Sequence, residues 1–345
     1  MGKKQEIEIS NLITWINVIM TIFIVFLHSD CSYMISSKIV HQILFKSLNT
    51  LYDLAVPCFF VISSYLFYKN ITDIRKQYKE KIYRRVFSLI IPYLLFSIFW
   101  MILYTLFTFI PFVGDYVPDS IFHHNFLENL YAFLLADYDP PIWYIRTLFA
   151  LQVISPLFYL VIKKRFVIAP VLYVCFIILN IVLNPGYSTP LFWIPSFIVG
   201  IWYAIYFNRI NSYLLRYNKY VVLLILITFY ISAVASSIFW GQTQVIYYLY
   251  RVFASILFIV LISNFNALKE KPNNFTKYSF FVFMIHYPIV QMLKRVISKF
   301  ISINDFSIIV IYIISAVTGM LISFGAAYLT KKYCTKLWKV VIGGR

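Results

Sequence analysis

The sequence predicts an all-α, polytopic membrane protein with about ten transmembrane helices and both termini in the cytoplasm. The 345 residues are 61% hydrophobic and only 12% charged, whereas about 25% of residues are charged in ordinary soluble domains. Apolar runs long enough to cross about 30 Å of hydrocarbon recur along the chain. Basic residues are concentrated in every second segment between these runs. We therefore expect a single integral-membrane domain over residues 1–345.

The apolar runs follow one another with few polar interruptions, and each predicts one membrane-spanning helix. The first run follows Lys3 and Lys4, but no small-residue cleavage site comes after it, so we expect a retained anchor rather than a signal peptide. The third run is long enough to tilt, or to kink at Pro92. The ten runs cover residues 11–29, 50–68, 86–112, 142–162, 166–183, 190–207, 220–239, 245–264, 279–300 and 307–330.

The basic residues predict the orientation of the chain. Of the 30 Lys and Arg residues, 23 lie in segments on the same side as the N-terminus, among them residues 69–85 and 331–345. The loops on the opposite side contain only Lys38 and Lys46. Because loops rich in Lys and Arg stay in the cytoplasm, this distribution places both termini there.

The charge and the cysteines exclude several function classes. A net charge of +17 does not indicate a nucleic-acid partner here, because the basic residues are scattered between apolar spans and form no basic face on a soluble domain. The four cysteines show no metal-ligand spacing, and Cys58 and Cys175 lie inside apolar runs. Neither a disulfide framework nor a metal site is expected.

The longest predicted external loop, residues 113–141, differs from the short loops in being acidic. It contains an amphipathic stretch from Phe126 to Ala136. A stretch of this kind lies on the membrane surface or dips back into it.

The first apolar run ends in His28, and an ionisable group at membrane depth is a functional candidate because its burial is costly. About 17 residues at 1.5 Å each place His28 in the outer half of the membrane. Asp53, Arg146 and Arg251 enter their spans from the same side, so the four side chains are expected to converge at one level. The alternatives are a snorkelling, water-facing His28 and interhelical salt bridges for Arg146 and Arg251.

A second histidine, His286, lies deep in the ninth run. An ionisable ring at that depth is a candidate for the wall of a substrate site or channel. Lys294, Arg295 and Lys299 follow toward the outer end of the same helix, and we expect their long side chains to snorkel to the interface.

The basic segment 69–85 has two interpretations. It is a topogenic signal that also contacts anionic lipids, or it binds a phosphate-rich cytosolic ligand, because guanidinium groups match phosphate oxygens. Arg84 and Arg85 favour the second interpretation, since they stand at the membrane edge immediately before a span, with Lys81 one turn earlier.

Five short motifs follow one another along the chain. The first run ends in His28-Ser29, the second contains PCFFVISSYL at 57–66, and the third is entered through RRVFSLIIPY at 84–93. The fourth contains IWYIRTL at 142–148, and the ninth contains FMIHYP at 283–288. In this order, and within ten spans, they resemble the integral-membrane acyltransferase-3 family, whose ten-helix members O-acylate bacterial surface glycans and related acceptors.

The resemblance implies that an acyl group, most commonly acetyl, moves from cytosolic acyl-CoA to a hydroxyl of a cell-envelope or exopolysaccharide glycan. It implies that His28 and Arg146 are catalytic. The residues that would hold the CoA phosphates are Arg84, Arg85 and Lys81. The residues that would line the substrate site or channel are Asp53, Ser63, Trp143, Arg251 and His286. Acyl-CoA is then the donor substrate, and no permanently bound cofactor is expected.

Two positions depart from the family pattern. The family commonly has Arg or Lys eleven residues before its first-helix histidine, where this chain has Asn17, and Ser64 replaces the glycine of the family's SGYL motif. Asn17 removes a charge that would cooperate with His28. Either Arg146 or Arg251 substitutes for it, or the chain belongs to a divergent branch, or it has lost acyl transfer.

Two other functions stay open at this point. A basic ten-helix protein with polar groups at depth also suits a transporter or exporter of a glycan or small solute, and Asn17 favours this alternative. A structural partner within a glycan-assembly complex is the third. The expected location is the bacterial plasma membrane, and the expected partners are the lipid bilayer, acyl-CoA, a glycan acceptor and other glycan-assembly proteins.

Overall fold

The computed structural model describes residues 3–110, 125–135, 139–214, 216–239 and 245–344. Within these ranges every regular element is helical and no β-strand occurs. The α-helices are α1 Lys3–His28, α2 Lys38–Val40, α3 Lys46–Tyr52, α4 Ala55–Tyr68, α5 Ile74–Arg85, α6 Ile91–Phe107, α7 Phe126–Leu135, α8 Trp143–Ile154, α9 Pro156–Ile162, α10 Ile168–Leu183, α11 Pro190–Ile205, α12 Phe207–Leu214, α13 Lys219–Phe239, α14 Val245–Ile262, α15 Ser279–Phe300, α16 Asp305–Tyr333 and α17 Thr335–Val341. Residues His41–Phe45 and Val86–Ile90 form π-helical turns.

Seven helical stretches in the described residues are long and apolar enough to cross a membrane, and two bent helix pairs raise the number to nine. The pair α8 and α9 is bent by 52°, and the pair α11 and α12 by 99°. The remaining predicted span, 166–183, is α10, which has 16 residues and is therefore about 24 Å long. The all-helical, multi-spanning class is confirmed, whereas the number of ten and the orientation of the termini stay predictions.

The chain divides into two compact units. The boundaries between them fall inside α1, α5 and α8, and every other α-helix belongs to a single unit. Unit 1 comprises Met1–Ile24, His41–Ile82 and Ala150–Lys277. Unit 2 comprises Val25–Val40, Tyr83–Phe149 and Tyr278–Arg345.

In unit 1, α11 packs along α4 at very close range. A Cβ at Gly200 of α11 would collide with the hydroxyl of Ser64 and with the backbone oxygen of Val61. Small residues allow helices to approach closely inside membranes. Ser64 stands where the family pattern has glycine, and the glycine that this crossing requires is supplied by the opposite helix.

A second part of unit 1 is the packing of α14 on α13. Its buried centre combines the small residues Ala233 and Ala254 with the large rings of Tyr247 and Tyr250. The alanines let the helices approach, and the tyrosines fill the space beside them. Both tyrosines carry hydroxyl groups into the interior of unit 1.

In unit 2, α15 packs against α16, and the last turn of α1 completes the core. The buried centre consists of Val25, Val282 and Val290. A Cβ at Gly319 would lie 2.6 Å from Cγ2 of Val290, so the close crossing of α15 and α16 depends on this glycine. The crossing fixes the α15 residues that follow Val282.

Local signals explain several helix boundaries. α16 begins with a capping box in which Asn304 and Ser307 bind each other's backbone N–H at 2.9 Å, as short polar side chains do at helix starts. α10 ends at Asn184, whose φ of 44° is left-handed. Pro288 lies inside α15, where its missing N–H removes one backbone hydrogen bond.

The predicted amphipathic stretch 126–136 forms the helix α7 over Phe126–Leu135. Asn125 and Glu128 bind each other's backbone N–H at 2.9 Å at its start. None of its residues is buried, which agrees with a helix that rests on the membrane surface. Within the predicted external loop 113–141, residues 113–124 and 136–138 lie outside the described residues.

Candidate active site

The end of α1 is held by two side chains of α15. Nε2 of Gln291 and Nζ of Lys294 each donate to the backbone oxygen of His28 at 3.1 Å, and Lys294 also donates to the oxygen of Asp30 at 3.0 Å. The last carbonyls of a helix lack intrahelical partners and carry partial negative charge, which a cation satisfies. Lys294 is only 4% exposed, so the prediction that it snorkels to the interface is wrong.

The imidazole of His28 lies against two neighbouring rings of α15. Its centroid is 5.4 Å from that of His286, with 39° between the planes, and 5.1 Å from that of Tyr287, with 89° between the planes. The His28 side chain keeps partial exposure. Two histidines from opposite ends of the chain therefore meet in unit 2, at a place that is not closed by packing.

His286 is completely buried. Its Nδ1 lies 2.8 Å from the backbone oxygen of Phe283, one turn earlier in α15. Its Nε2 is buried and has no hydrogen-bond partner among the described residues. The ring of Phe283 lies 5.9 Å from that of Tyr144, so the start of α8 packs next to this part of α15.

The start of α8 adds two further polar groups to unit 2. Nη1 of Arg146 is buried without a hydrogen-bond partner in the described part of the chain. Asp139, just before the helical turn Pro140–Ile142, has 0% exposure, and neither of its carboxylate oxygens has a partner there. Burial raises the pKa of the Asp139 carboxyl well above its ordinary value.

A different polar cluster lies in unit 1. Nη2 of Arg251 lies 2.7 Å from Oδ2 of Asp53, and the hydroxyl of Tyr247 donates to the same oxygen at 2.6 Å. The guanidinium also lies over the rings of Tyr187 and Tyr247, at 4.9 and 4.6 Å from their centroids. Asp53 and Arg251 thus form the interhelical salt bridge that was one of the two alternatives for Arg251.

Comparison with protein families assigns the chain. The family model described as an acyltransferase domain, of the acyltransferase-3 type, matches residues 12–328. The chain belongs to the acyltransferase-3 family. It is a multi-pass membrane acyltransferase, as the motifs of the sequence predict. No curated protein and no solved structure gives a significant match.

The acyltransferase carries Arg84 and Arg85 as the last two residues of α5, directly before the π-helical turn Val86–Ile90. Such turns are rare and frequently occur at functional sites. Arg84 is exposed and Arg85 is half-buried. Lys81 differs from them, because its ammonium donates to the backbone oxygen of Phe67 and lies 5.7 Å from the centroid of that ring.

The other predicted site residues of the acyltransferase fall into separate units. Ser63, in α4, belongs to unit 1 and is half-buried, whereas Trp143 opens α8 in unit 2 and is also half-buried. His28 and Arg146 belong to unit 2, and Asp53 belongs to unit 1. The described residues contain no group of three or more His, Cys, Asp or Glu side chains that could hold a metal ion.

Sequence reasoning did not assign three residues to the candidate site that the structure places here, one of which, Lys294, it expected at the interface. Asp139 is missed because it looks like one more acidic residue of a loop, although its position directly before Pro140-Pro141 at a span entry was a signal. Gln291 and Lys294 are missed because nothing in a helical pattern shows that they bind the end of α1. Such contacts arise only from the packing of distant helices.

Proposed function

We propose that this acyltransferase moves an acetyl group from cytosolic acetyl-CoA to a hydroxyl of a cell-envelope glycan. The observation that carries the proposal is the packing of the His28 ring against the His286 ring in unit 2, at 5.4 Å between centroids. Acyl transfer to a hydroxyl needs a base that works near neutral pH, and imidazole is the side chain with that property. The family assignment supports the reaction class.

His28 acts as the general base on the acceptor hydroxyl. As its imidazole takes the proton, the hydroxyl oxygen attacks the thioester carbonyl carbon and forms a tetrahedral intermediate. The C–S bond then breaks, the ester is released and CoA leaves as a thiolate. Proton transfer by a placed base contributes about 10²–10⁴-fold to the rate. The hydrogen bonds from Gln291 and Lys294 to the backbone oxygen of His28 support this role. They fix the main chain without using the nitrogens of the His28 ring.

Arg146 stabilises the oxyanion that develops on the thioester carbonyl. Its Nη1 is buried and lacks a partner among the described residues, and leaving such a donor unsatisfied costs about 1–3 kcal/mol. A substrate oxygen that accepts this hydrogen bond removes the cost. The gain is largest when the oxygen carries the negative charge of the transition state.

Arg84 and Arg85 bind phosphate groups of the CoA donor. Two adjacent guanidinium groups suit phosphate oxygens, and the distribution of basic residues places them on the cytosolic side. Lys81 contributes only through its charge, because its ammonium already contacts Phe67. The acceptor hydroxyl approaches from the other side of the membrane, so the proposal includes a polar path between the two. Trp143, at the start of α8 in unit 2, is a proposed lining residue on the acceptor side.

The test uses the purified protein in liposomes with acetyl-CoA labelled in its acetyl group and chemically O-deacetylated envelope polysaccharide from the host. We expect labelled polysaccharide and free CoA from the wild type. His28→Ala and Arg146→Ala should each lower turnover by about 10²-fold or more. The matched controls are His41→Ala and Arg165→Ala, which change the same residue types outside the proposed site and should retain turnover.

Undiminished turnover in both His28→Ala and Arg146→Ala would remove this mechanism. A wild-type protein that moves unmodified polysaccharide across the liposome membrane, without free CoA or labelled product, would instead support the exporter alternative. Mass analysis of envelope polysaccharide from cells with and without the gene identifies the acceptor. A loss of acetyl ester from one polysaccharide is the expected result.

A further inference from the structure

His286 has a defined tautomer. A backbone carbonyl has no proton to give and only accepts hydrogen bonds. Because Nδ1 of His286 lies 2.8 Å from the oxygen of Phe283, that nitrogen must carry the hydrogen. In the neutral ring, Nε2 is then the nitrogen with the free lone pair.

This lone pair is left unused by the described residues. Nε2 is buried and has no hydrogen-bond partner there, and the whole residue has 0% exposure. Buried polar atoms in proteins are nearly always paired, and an exception calls for a specific explanation. A basic nitrogen that is turned inward, fixed by its other nitrogen and left without a donor is suited to receive a proton from a reacting group.

The nearest imidazole gives that proton a source. The ring centroids of His28 and His286 are 5.4 Å apart. Rings at this separation are close enough for a proton to pass between them directly or through one bridging water, whose two hydrogen bonds are each about 2.8 Å long. The Tyr287 ring lies nearly perpendicular to the His28 ring, at 5.1 Å between centroids, and limits the movement of the His28 ring.

We propose that Nε2 of His286 is the second proton acceptor of the transfer reaction. It receives, directly or through one water, a proton from His28 in the same step in which His28 takes the proton of the acceptor hydroxyl. This inference rests on the proposed acyl transfer. The O–C bond of the ester forms, the C–S bond of the thioester breaks, CoA leaves as a thiolate, and the proton resides on His286 until it returns to solvent or to the thiolate. His28 is neutral again when the next acceptor arrives.

Two substitutions separate the two nitrogens of His286. His286→Asn keeps an amide N–H where Nδ1 donates to Phe283 but has no atom at Nε2. His286→Gln keeps an acceptor oxygen near the position of Nε2, although that oxygen cannot take a proton. We expect both variants to lower kcat by about 10²-fold or more, with little change in KM for acetyl-CoA. The thermal unfolding midpoint of His286→Asn should stay near the wild-type value.

A purely structural His286 gives a different result. If its only duty is the hydrogen bond to Phe283, His286→Asn turns over at the wild-type rate and the inference is wrong. Wild-type activity in His286→Gln also overturns it, because an acceptor that cannot be protonated would then suffice. The outcome differs from failure of the proposed function, in which the wild type itself produces neither free CoA nor labelled polysaccharide.

A measurement on the unmodified protein covers the case in which the variants do not fold. The dependence of kcat on the fraction of deuterium in the solvent should be curved, as expected when two protons move in one step. A linear dependence, which indicates a single proton in flight, would overturn the relay. This readout does not respond to a merely structural role of His286.

Discussion

In unit 1, the carboxylate of Asp53 receives hydrogen bonds from Arg251 and Tyr247 at 2.6–2.7 Å, whereas three buried polar groups of unit 2 have no such partners in the described part of the chain. Nη1 of Arg146, Nε2 of His286 and both oxygens of Asp139 are buried without a hydrogen-bond partner among the described residues. A completed cluster stabilises the fold and offers nothing to a substrate. An incomplete one costs stability and gains it back when a ligand supplies the missing groups. We therefore expect the Asp53 cluster to be structural and the open polar groups of unit 2 to be available to a substrate.

The two units also treat a buried cation differently. Arg251 is paired with a carboxylate and lies over two tyrosine rings. Lys294 instead donates to the backbone oxygens of His28 and Asp30. A guanidinium suits flat, charged partners, while an ammonium is a compact charge that fits several carbonyls. The first arrangement joins helices, and the second holds the end of α1 beside the α15 side chains of the candidate site.

The largest effect is expected from breaking the cluster of unit 1. Asp53→Leu leaves the Arg251 guanidinium buried and uncompensated, which should lower the free energy of unfolding by about 3–5 kcal/mol. The double variant Asp53→Leu with Arg251→Met should recover most of that loss, because no unpaired charge is left. Chemical unfolding in detergent measures both. A stable single variant with abolished turnover would show that this pair is catalytic.

The second effect concerns Arg146, whose Nη1 has no hydrogen-bond partner in the described part of the chain. Arg146→Gln should lower kcat by about 10²–10³-fold, because an oxyanion donor is lost. The free energy of unfolding should hardly change, since no hydrogen bond of Nη1 is broken among the described residues. Steady-state kinetics and unfolding of the same preparation provide the comparison with Arg165→Gln. A large loss of stability would place Arg146 with Arg251 as a structural residue.

The third effect concerns Lys294 as a positioning residue. Lys294→Met removes two charge-assisted hydrogen bonds and should cost about 1.5–3 kcal/mol of stability, together with a fall in kcat as the His28 ring loses its fixed position. Lys294→Arg keeps a donor and should restore part of both. Lys299→Met, on the same helix, is the control. If kcat of Lys294→Met equals that of the wild type, Lys294 is not a positioning residue for His28.

The smallest effect is the pH dependence contributed by Asp139. Burial raises the pKa of this carboxyl above its ordinary value of 3.8, so the folded protein binds the proton more tightly than the unfolded chain. The contribution to stability is complete below the ordinary pKa and is lost as the pH rises through the raised pKa. Asp139→Asn cannot ionise, so its stability relative to the wild type should increase from acid to neutral pH. Unfolding midpoints measured over that pH range test the sign, and a constant difference would contradict it.

Much of the fold follows from the chain itself because its signals are local. Apolar runs predict the helices, and nine of the ten predicted spans correspond to long helices or bent pairs in the described residues. The break in the fourth span was not predicted. The bend of 52° between α8 and α9 lies at Ser155-Pro156, and in the sequence this proline does not differ from others inside apolar runs. The π-helical turn after Arg85 was also not predicted, because its hydrogen bonding has no pattern in the sequence.

The candidate site was predictable only in part. The depth of His286 and the position of His28 at a span end come from counting residues, and both are found in the candidate site. The prediction for Lys294 was wrong, because a lysine near a helix end normally reaches water. Here the end of α1 provides backbone carbonyls that bind its ammonium inside the protein. An interhelical salt bridge was one of the two alternatives that the sequence left open for Arg251, and the structure supplies Asp53 as its partner.

By itself, the sequence determined the membrane class, the helices, the family and the residue types available for acyl transfer. These depend on hydrophobicity, charge and short motifs, which act over a few residues. The tertiary structure decided which buried polar groups form hydrogen bonds or ion pairs with each other and which have no such partner among the described residues. Hydrogen bonds and ion pairs act over about 3 Å, so the partners of Arg251, Lys294 and His286 become known only when helices from distant parts of the chain pack together.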